Sequence, residues 1–470
     1  MTDFTAKPRL TRAEHGRPAA PERIIHLGVG NFTRAHQAWY TEHAPDADEW
    51  GIAAFTGRSR RMVDNLDPQG DVYTLITSAP EGDSFEVISS LSSVHAGGDV
   101  AALRHRFADP SIAIVTSTVT EAGYMRDHNG DLDTANELVA ADLKALADDP
   151  NVETLNTIPA KIVSGLLARR AADAGAITIL PCDNLPGNGQ AFRRVVEQAI
   201  EAVDPTLLDW ANDHVAWASS MVDRITPATT DDDRETVAEQ EGWYDAAPVR
   251  TEPFLEWVIA GDFPKGRPAW DEAGATITDD VAPYERRKLW MLNGSHTTLA
   301  YVGPLFGYES VAEAIQDPTL REWVNEWWGL AGSYLSIPAD EYREKLLERF
   351  SNPRIHHHLM QIAADGSQKI PVRIVPAAKR ALADGNSFCP AARAIAAWIL
   401  FLRRFGDDGA KDVDLATVKT LADAHGEHAT RDVVAYLDKD LAADERFVNA
   451  VDVQIEAVSA AAAAAGSATD

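Results

Sequence analysis

The chain has 470 residues, is 45% hydrophobic and carries a formal net charge of -29 at pH 7. That length suits two domains with separate cores, and the negative charge argues against nucleic acid and anionic membrane surfaces as partners. No apolar run approaches the roughly 18 residues that span a bilayer, and the first residues lack the apolar core of a signal peptide. We therefore expect a cytoplasmic protein.

A strand, a glycine turn and a helix open the structured part of the chain. An apolar run at Glu22–Leu27 precedes Gly28 and Gly30, and a helical pattern begins near Thr33. Gly28 permits a tight turn and Gly30 the close approach of a pyrophosphate, but Thr33 stands where the third glycine of GxGxxG belongs. The pattern predicts a dinucleotide-binding fold with an incomplete fingerprint.

The second predicted strand, Trp50–Thr56, ends without the acidic residue that usually binds the ribose 2′-hydroxyl of NAD. A basic loop with Arg58, Arg60 and Arg61 follows instead. These arginines suit a 2′-phosphate, or they rest against the adenine and face solvent, so the local chemistry leaves NAD and NADP both open.

Further elements of the same domain follow in order. A buried strand is predicted at Ser111–Thr118, with Glu121 just beyond it, where strand ends meet the ligand crevice. A second strand, Ala176–Leu180, leads into a loop that holds Asn184, a residue type that often only bonds its own turn. The other expectations are helical structure over Leu132–Gly175, a helix at Gln190–Ala202, a strand at Val215–Val222 and a charged surface loop at Thr229–Glu241.

The segment Glu285–Tyr308 sets polar residues into an apolar helical pattern. At about 100° per residue, one arc of roughly 140° contains Glu285, Lys288, Leu292, Asn293 and His296, so these residues can face one cavity. Gly294 costs about 1 kcal/mol relative to alanine in a helix, which indicates the close approach of another backbone or a ligand. On the helix alone function stays open, because a lysine near a helix start commonly reaches water.

Beyond residue 280 nearly every segment has helical periodicity with an acid-rich face. The predicted helices are Leu320–Leu330, Ala339–Phe350, Ile374–Ala383, Ala391–Phe405, Leu415–Ala424 and Thr430–Leu441, with a fraying, alanine-rich end at Ala457–Asp470. We predict an α/β chain with a Rossmann-type dinucleotide-binding domain and extended sheet over residues 1–280. A mostly α-helical domain for substrate binding and catalysis is expected over residues 281–470.

A metal site is not expected. The two cysteines, Cys182 and Cys389, lack CxxC spacing, which argues against a disulfide framework or structural zinc. His356, His357 and His358 are consecutive, and on a helix their side chains diverge, so we predict a surface cluster.

Seven blocks along the chain resemble the long-chain mannitol dehydrogenase family. They are HLGVGNFTRAHQA (His26–Ala38), TVTEAGY (Thr118–Tyr124), PCDNLPGNG (Pro181–Gly189), MVDRITP (Met221–Pro227), TEPFLEWVI (Thr251–Ile259), KLxxLNGSH (Lys288–His296) and DGSQKIPVR (Asp365–Arg373). The resemblance implies a metal-free polyol dehydrogenase that uses NAD, with NADP still open, and that acts as a monomer on a small polyol, ketose or sugar acid.

The resemblance also implies roles for single residues. Lys288 is expected to be the general base, since desolvation lowers the pKa of a lysine towards neutrality, and Asn293 and Asn184 to donate to the developing alkoxide. His296 would orient a substrate hydroxyl. The expected substrate contacts are Asp223, Lys369, Arg373 and Glu285, the last on a proton route. The expected cofactor contacts are Gly28, Gly30, Asn31, Phe32, Arg58, Thr118 and Glu121.

The substrate remains open at this point. Mannitol and fructose, or a close polyol and ketose pair, are the leading expectation. Gln361 stands where better-known relatives often carry arginine, eight positions before Lys369, and that departure leaves the substrate open. The alternative is a sugar acid such as fructuronate, from a branch that shares most of these motifs, with Lys369 or Arg373 as its cation. A catalytically silent dinucleotide sensor is a third possibility, against which the intact Lys288, Asn293 and His296 set argues.

Overall fold

The computed structural model describes residues 4–355, 357–426 and 428–466. It divides the chain into two compact units, an amino-terminal unit, Met1–Ala282, and a carboxy-terminal unit, Pro283–Asp470. His356 of the histidine cluster and residues 467–470 of the expected fraying tail lie outside the described residues.

The amino-terminal unit is built on a parallel sheet. Its strands are β1 (Glu22–Leu27), β2 (Gly51–Phe55), β3 (Tyr73–Ala79), β4 (Gly82–Ile88), β5 (Leu91–His95), β6 (Ile114–Ser117), β7 (Ile177–Pro181), β8 (Val215–Trp217), β9 (Ser219–Asp223), β10 (Val249–Thr251), β11 (Glu256–Ala260) and β12 (Thr276–Ile277). Six of them pair in the order β5-β2-β1-β6-β7-β8, and two three-stranded sheets, β10-β3-β4 and β12-β11-β9, extend the unit. The order reverses between β1 and β6, which is the switch point where Rossmann folds bind ligands. The predicted Rossmann-type fold is confirmed.

Helices cover the central sheet. They are α1 (Arg12–His15), α2 (Asn31–Ala35), α3 (Gln37–His43), α4 (Arg61–Leu66), α5 (Val100–Phe107), α6 (Glu137–Asp148), α7 (Ile158–Ala171), α8 (Asn188–Val203), α9 (Thr206–His214) and α10 (Asp231–Gln240). The apolar core between the sheet and α5, α7 and α8 includes Ile25 and Val115 of the sheet and Phe192 of α8.

Two expectations for this unit were wrong. The strand predicted at Val215–Val222 is two strands, because the Asn188 side chain bonds both the N–H and the C=O of Ser220 and draws the chain out of the parallel sheet. The loop predicted at Thr229–Glu241 contains helix α10, which a Thr230–Asp233 capping box starts. Its buried side includes Asp233, which pairs with Arg250 at 2.6 Å, so the helix buries a charge that the apolar pattern does not reveal.

The carboxy-terminal unit is helical, as predicted. Its elements are α11 (Ala282–Arg287), a π-helical segment (Lys288–Asn293), α12 (Gly294–Phe306), α13 (Val311–Ala314), α14 (Pro318–Gly332), α15 (Asp340–Phe350), α16 (Leu359–Ile362), α17 (Gly366–Arg373), α18 (Val375–Asp384), α19 (Cys389–Phe405), α20 (Leu415–Asp423), α21 (Ala429–Leu437), α22 (Lys439–Ala443) and α23 (Glu445–Gly466). Helices α12 and α19 are buried along most of their length and form its core.

In the described part of the chain, one helical stretch has the length and composition of a membrane span. It is Glu445–Ala465, whose most apolar 18-residue stretch has a mean hydropathy of 1.2 and is 28% buried. Its buried side chains include Phe447, Val451 and Val458, which belong to the packed side of α23. A single stretch of this kind is weak evidence for a membrane span.

Candidate active site

The helix that carries the predicted reactive residues is not one continuous α-helix. A π-helical turn, Lys288–Asn293, separates α11 from α12. Such turns pair backbone groups five residues apart and are frequent at functional sites. In an α-helix at about 100° per residue, Lys288 and Asn293 would lie at the two edges of the predicted arc, about 140° apart. Because a π turn pairs backbone groups five residues apart, it directs these two residues closer to one side of the helix than an α-helix would.

Two tryptophans of α14 bond the carbonyls of this turn. The buried Trp327 indole donates to the carbonyl of Trp290 at 2.8 Å, and the buried Trp328 indole donates to that of Met291 at 3.2 Å. A Cβ added at Gly294 would lie 2.6 Å from Nε1 of Trp327. The close neighbour expected at Gly294 is therefore an aromatic side chain, not a backbone or a ligand.

His296 is a buried imidazole one helical turn beyond Asn293. Desolvation lowers its pKa well below the usual value, and the charges of His357, Arg349 and Arg373 lower it further, so the ring is neutral. Its Nε2 has no hydrogen-bond partner among the described residues. A buried nitrogen in that state is suited to bond a polar group of a ligand.

The structure changes the interpretation of the histidine cluster. His358 is exposed and forms a β-bridge with Ser310, so this segment is not helical as predicted. His357 is half-buried, with its ring 5.1 Å from that of His296. No group of three or more His, Cys, Asp or Glu side chains arranged for a metal occurs within the described ranges.

Helix α17 brings two cations to the same unit. Arg373 donates from Nη1 to the carbonyl of Asn293 at 3.4 Å and to Oγ1 of Thr297 at 3.1 Å. Lys369 donates to the carbonyls of Ile362 and Ala364 at 3.2 and 2.5 Å. Burial lowers the pKa of both side chains, and the Arg373 charge lowers that of Lys369 further.

The carboxy-terminal unit thus gathers several predicted residues. Arg373 touches the backbone of Asn293, and its charge acts on both His296 and Lys369. Glu285 and Lys288 are half-buried, on α11 and at the start of the π turn. The sequence analysis did not indicate Trp327, Trp328 or Arg349, and His357, which it assigned to a surface cluster, lies beside His296.

The amino-terminal unit holds Asn184 in the loop after β7, where its side chain is exposed. The neighbouring Asp183 is buried and accepts bonds from the hydroxyls of Ser117 and Tyr124, at 2.9 and 2.7 Å, and from the Val119 N–H. Burial raises the pKa of Asp183 to about 6. Asp183 thus anchors the loop that presents Asn184, and its place in the PCDNLPGNG block was the available signal. The shared site of Asn184 and Asn293, which lie in different units, stays a prediction.

Asp223 is buried at the end of β9, opposite Glu256 of β11. Its chain neighbour Arg224 donates to the carbonyls of Glu252 and Ala35. The Arg224 guanidinium therefore hydrogen-bonds backbone carbonyls of this unit.

A glycine and a threonine close the turn after β1. Gly28 has φ +102°, and a Cβ there would lie 2.3 Å from the carbonyl oxygen of Thr118. The Thr33 hydroxyl, at the position of the missing third glycine, bonds His26 and lies 2.6 Å from that of Thr118. Burial lowers the pKa of His26 to about 3, so a neutral polar network joins β1, β6 and α2 where the usual fingerprint has a glycine.

A cavity of about 570 Å³ lies at the carboxyl ends of β1 and β2. Its lining includes Gly30, Asn31 and Arg58 from the predicted cofactor set, and it adds Arg34 and Arg61. This volume and this place in the fold suit part of a dinucleotide.

The other predicted cofactor residues are not among the lining residues of this cavity. Thr118 bonds the carbonyl of Gly28, and Phe32 stacks on His36 at 4.9 Å. Glu121 is exposed and pairs with Arg126 at 2.8 Å.

Comparison with known families decides the assignment. The family description "Mannitol dehydrogenase Rossmann domain" matches residues 22–272, and "Mannitol dehydrogenase C-terminal domain" matches residues 280–459. The chain belongs to the mannitol dehydrogenase family. The expected family, its oxidoreductase class and its combination of a Rossmann-type domain with a helical domain are confirmed.

Relatives within this family have different named activities. D-mannonate oxidoreductase of Escherichia coli (strain K12) is 37% identical over 82% of this chain and 81% of the relative. Polyol:NADP oxidoreductase of Gluconobacter oxydans (strain 621H) is 35% identical over 82% of this chain and 81% of the relative.

Two solved structures have the same fold. A D-sorbitol dehydrogenase in substrate-free form has a TM-score of 0.86 and 29% identity, covering 95% of this chain and 97% of its own. Pseudomonas fluorescens mannitol 2-dehydrogenase, in a ternary complex with NAD and D-mannitol, has a TM-score of 0.73 and 33% identity, covering 96% and 93%.

Proposed function

We propose that the chain catalyses the reversible, NAD-linked oxidation of a secondary hydroxyl of a polyol, with mannitol and fructose or a close pair as reactants. The observation that carries this proposal is the π turn, which brings Lys288 and Asn293 towards one side of a helix that continues into the buried His296. The related mannitol 2-dehydrogenase that binds NAD and D-mannitol supports the same class of reaction.

Lys288 is the proposed general base. Hydride leaves an alcohol carbon readily only when the hydroxyl proton is removed in the same process, and a positioned side chain supplies that base. Lys288 is half-buried at the first position of the π turn. Glu285, one turn earlier, lines the proposed route by which the Lys288 proton exchanges with water.

Asn293 and His296 have complementary proposed roles. The Asn293 amide donates a hydrogen bond to the oxygen as negative charge develops, together with Asn184 of the other unit. His296 is neutral, so its Nε2 bonds a substrate hydroxyl without adding charge to the site. When bound, the nicotinamide ring supplies the hydride acceptor for oxidation and the donor for reduction.

An activity screen tests this proposal. Purified chain is assayed against polyols, ketoses and hexuronates with NADH, NADPH and their oxidised forms, and Lys288→Ala serves as the background. We expect metal-independent turnover that the variant lacks. Turnover that requires an added metal, or a screen without any polyol or ketose substrate, would contradict the proposal.

A sugar acid is a second candidate substrate, and Arg373 favours it. The Arg373 guanidinium donates to the Asn293 carbonyl and to the Thr297 hydroxyl. It forms no ion pair with a carboxylate of the described residues. Arg373 is half-buried, and a cation partly removed from water without an anionic partner is unfavourable, so a substrate carboxylate would compensate its charge. The relative named D-mannonate oxidoreductase supports this alternative.

The variant Arg373→Gln separates the two candidates. If a carboxylate binds there, kcat/KM for hexuronates and aldonates should fall by about tenfold to a hundredfold, the usual value of a charge-assisted hydrogen bond, and that for neutral polyols should fall less. Equal losses on acids and polyols, measured in the same assay, would restrict Arg373 to support of the Asn293 backbone.

A further inference from the structure

The cavity at the ends of β1 and β2 is strongly basic. Four arginines line it, and its described lining residues include no aspartate or glutamate. The chain as a whole carries a net charge of -29, so a group of four positive side chains around one cavity differs in sign from the rest of the molecule. The arginines are Arg34, Arg58, Arg61 and Arg234.

The guanidinium groups of two of the four arginines are hydrogen-bonded to other groups of the protein. Arg34 is buried and donates to the carbonyls of Gly30 and Ala247 and to Oδ1 of Asn31. Arg234 donates to the carbonyl of Ala246 and pairs with Asp231 at 2.8 Å. These two contribute charge to the cavity wall while their hydrogen bonds hold the chain.

The other two arginines, Arg58 and Arg61, line the cavity, and their guanidinium N–H groups are available to a ligand. Arg58 lies in the loop after β2, and Arg61 is the first residue of α4. Neither side chain forms a hydrogen bond or an ion pair with a residue that the structure describes. Arg60, between them, is not a lining residue and instead pairs with Asp64 on α4 at 3.1 Å. The sequence placed Arg58, Arg60 and Arg61 in one basic loop, and the structure separates Arg60 from the other two.

We propose that Arg58 and Arg61 form a subsite for the 2′-phosphate of a dinucleotide, so that the chain accepts NADP(H) as well as NAD(H). The end of β2 is where Rossmann folds meet the adenosine ribose, with an acid for a free 2′-hydroxyl or an arginine for a 2′-phosphate. The guanidinium fork matches phosphate oxygens in geometry and charge. The inference rests on the dinucleotide site of the proposed function.

Two further observations support this subsite. Gly57 precedes Arg58, and a Cβ there would meet no atom within 4 Å, so the loop leaves open space beside the first arginine. A relative of 35% identity is named for NADP. The competing role, in which the arginines rest against the adenine, would serve both dinucleotides equally, and this difference allows a test.

The test measures dissociation constants of NADPH and NADH for the full chain by fluorescence titration. Arg58→Ala and Arg61→Ala are compared with Arg60→Ala, a matched control from the same loop. We expect NADPH to bind the unaltered chain at least as tightly as NADH. Each of the two test variants should weaken NADPH by about tenfold or more and NADH by less than about twofold, and the control should change neither.

Three results would overturn the subsite. One is NADPH binding tenfold weaker than NADH binding in the unaltered chain. Another is an equal loss for both dinucleotides in Arg58→Ala and Arg61→Ala, and a third is a selective NADPH loss in Arg60→Ala. NADH binding without NADPH binding rejects the subsite alone, whereas a failure to bind either dinucleotide rejects the proposed function with it.

Discussion

The cofactor cavity and the π turn position polar side chains by opposite means. In the amino-terminal unit, β1 and β2 pair in parallel and in continuous register from Ile24 to Leu27, and strands that end at one edge bring Gly30 and Arg58 to the same cavity. In the carboxy-terminal unit, the helix departs from regular α geometry between Lys288 and Asn293, and a π turn directs residues five apart closer to one side of the helix.

The two regions therefore depend on different contacts. Sheet register positions the cavity. Arg58 and Arg61 at its rim are exposed, so water can solvate their guanidinium groups in place of a protein partner. The π turn needs donors for its carbonyls, which Trp327 and Trp328 supply from α14. A regular site tolerates changes at its rim, whereas an irregular one depends on buried groups distant in sequence.

Lys288→Ala tests whether the irregular region carries the chemistry. Loss of a general base costs about a hundredfold to ten-thousandfold, so kcat should fall within that range while NADH affinity is kept. Steady-state kinetics and NADH titration measure both. Lys345→Ala, which removes an exposed lysine paired with Glu341, is the control and should leave kcat unchanged. A kcat for Lys288→Ala within fivefold of the unaltered chain would remove the basis of the comparison.

Asp183→Asn tests the polar anchor of the regular unit. The pKa of Asp183 is about 6 in the folded chain and its ordinary value is 3.8, so the folded state holds the proton more tightly. Stability from this group is full below pH 3.8 and is lost as pH rises through about 6. Because a tenfold difference in proton affinity corresponds to about 1.4 kcal/mol, the stability of the unaltered chain relative to Asp183→Asn should fall by a few kcal/mol between about pH 4 and pH 7. Denaturant unfolding of both proteins measures it, and a difference that does not vary with pH would refute the assignment.

Trp327→Phe sharpens the comparison at the π turn. It keeps most of the ring but removes the N–H that bonds the carbonyl of Trp290, at a cost of about 1–3 kcal/mol. We expect lower thermal stability and a kcat lowered by about tenfold with little change in KM, because the turn aligns Lys288 with Asn293. Trp323→Phe on the same helix is the matched control. Indistinguishable kinetics for the two variants would show that the turn does not need the Trp327 donor.

Much of the fold follows from local patterns. Glu22–Leu27 was predicted with the bounds that β1 has, and the glycine after it has the positive φ that the turn requires. Local sequence carries this information because strand propensity, apolar runs and glycine turns act over a few neighbouring residues. The blocks around Lys288 and Asn184 likewise indicated the family, and family models match most of the chain.

Other features depended on partners far along the chain. Helix α10 has little apolar periodicity, so the sequence pattern does not reveal it. Its buried Asp233 is accommodated because Arg250 from another element compensates the charge. His357 lies against His296 because its segment is not helical. The different roles of Arg60 and Arg61 depended on which side chain reaches Asp64.

The sequence by itself determined the fold class, the elements of regular periodicity and the residue types available for chemistry, since each is written in local spacing. Only the tertiary structure decided that the helix holding Lys288 contains a π turn. Its Trp290 and Met291 carbonyls bond indoles 37 residues away in the chain. An α-helix and a π turn differ in backbone pairing, so the choice between them depends on donors that only the folded unit brings into place.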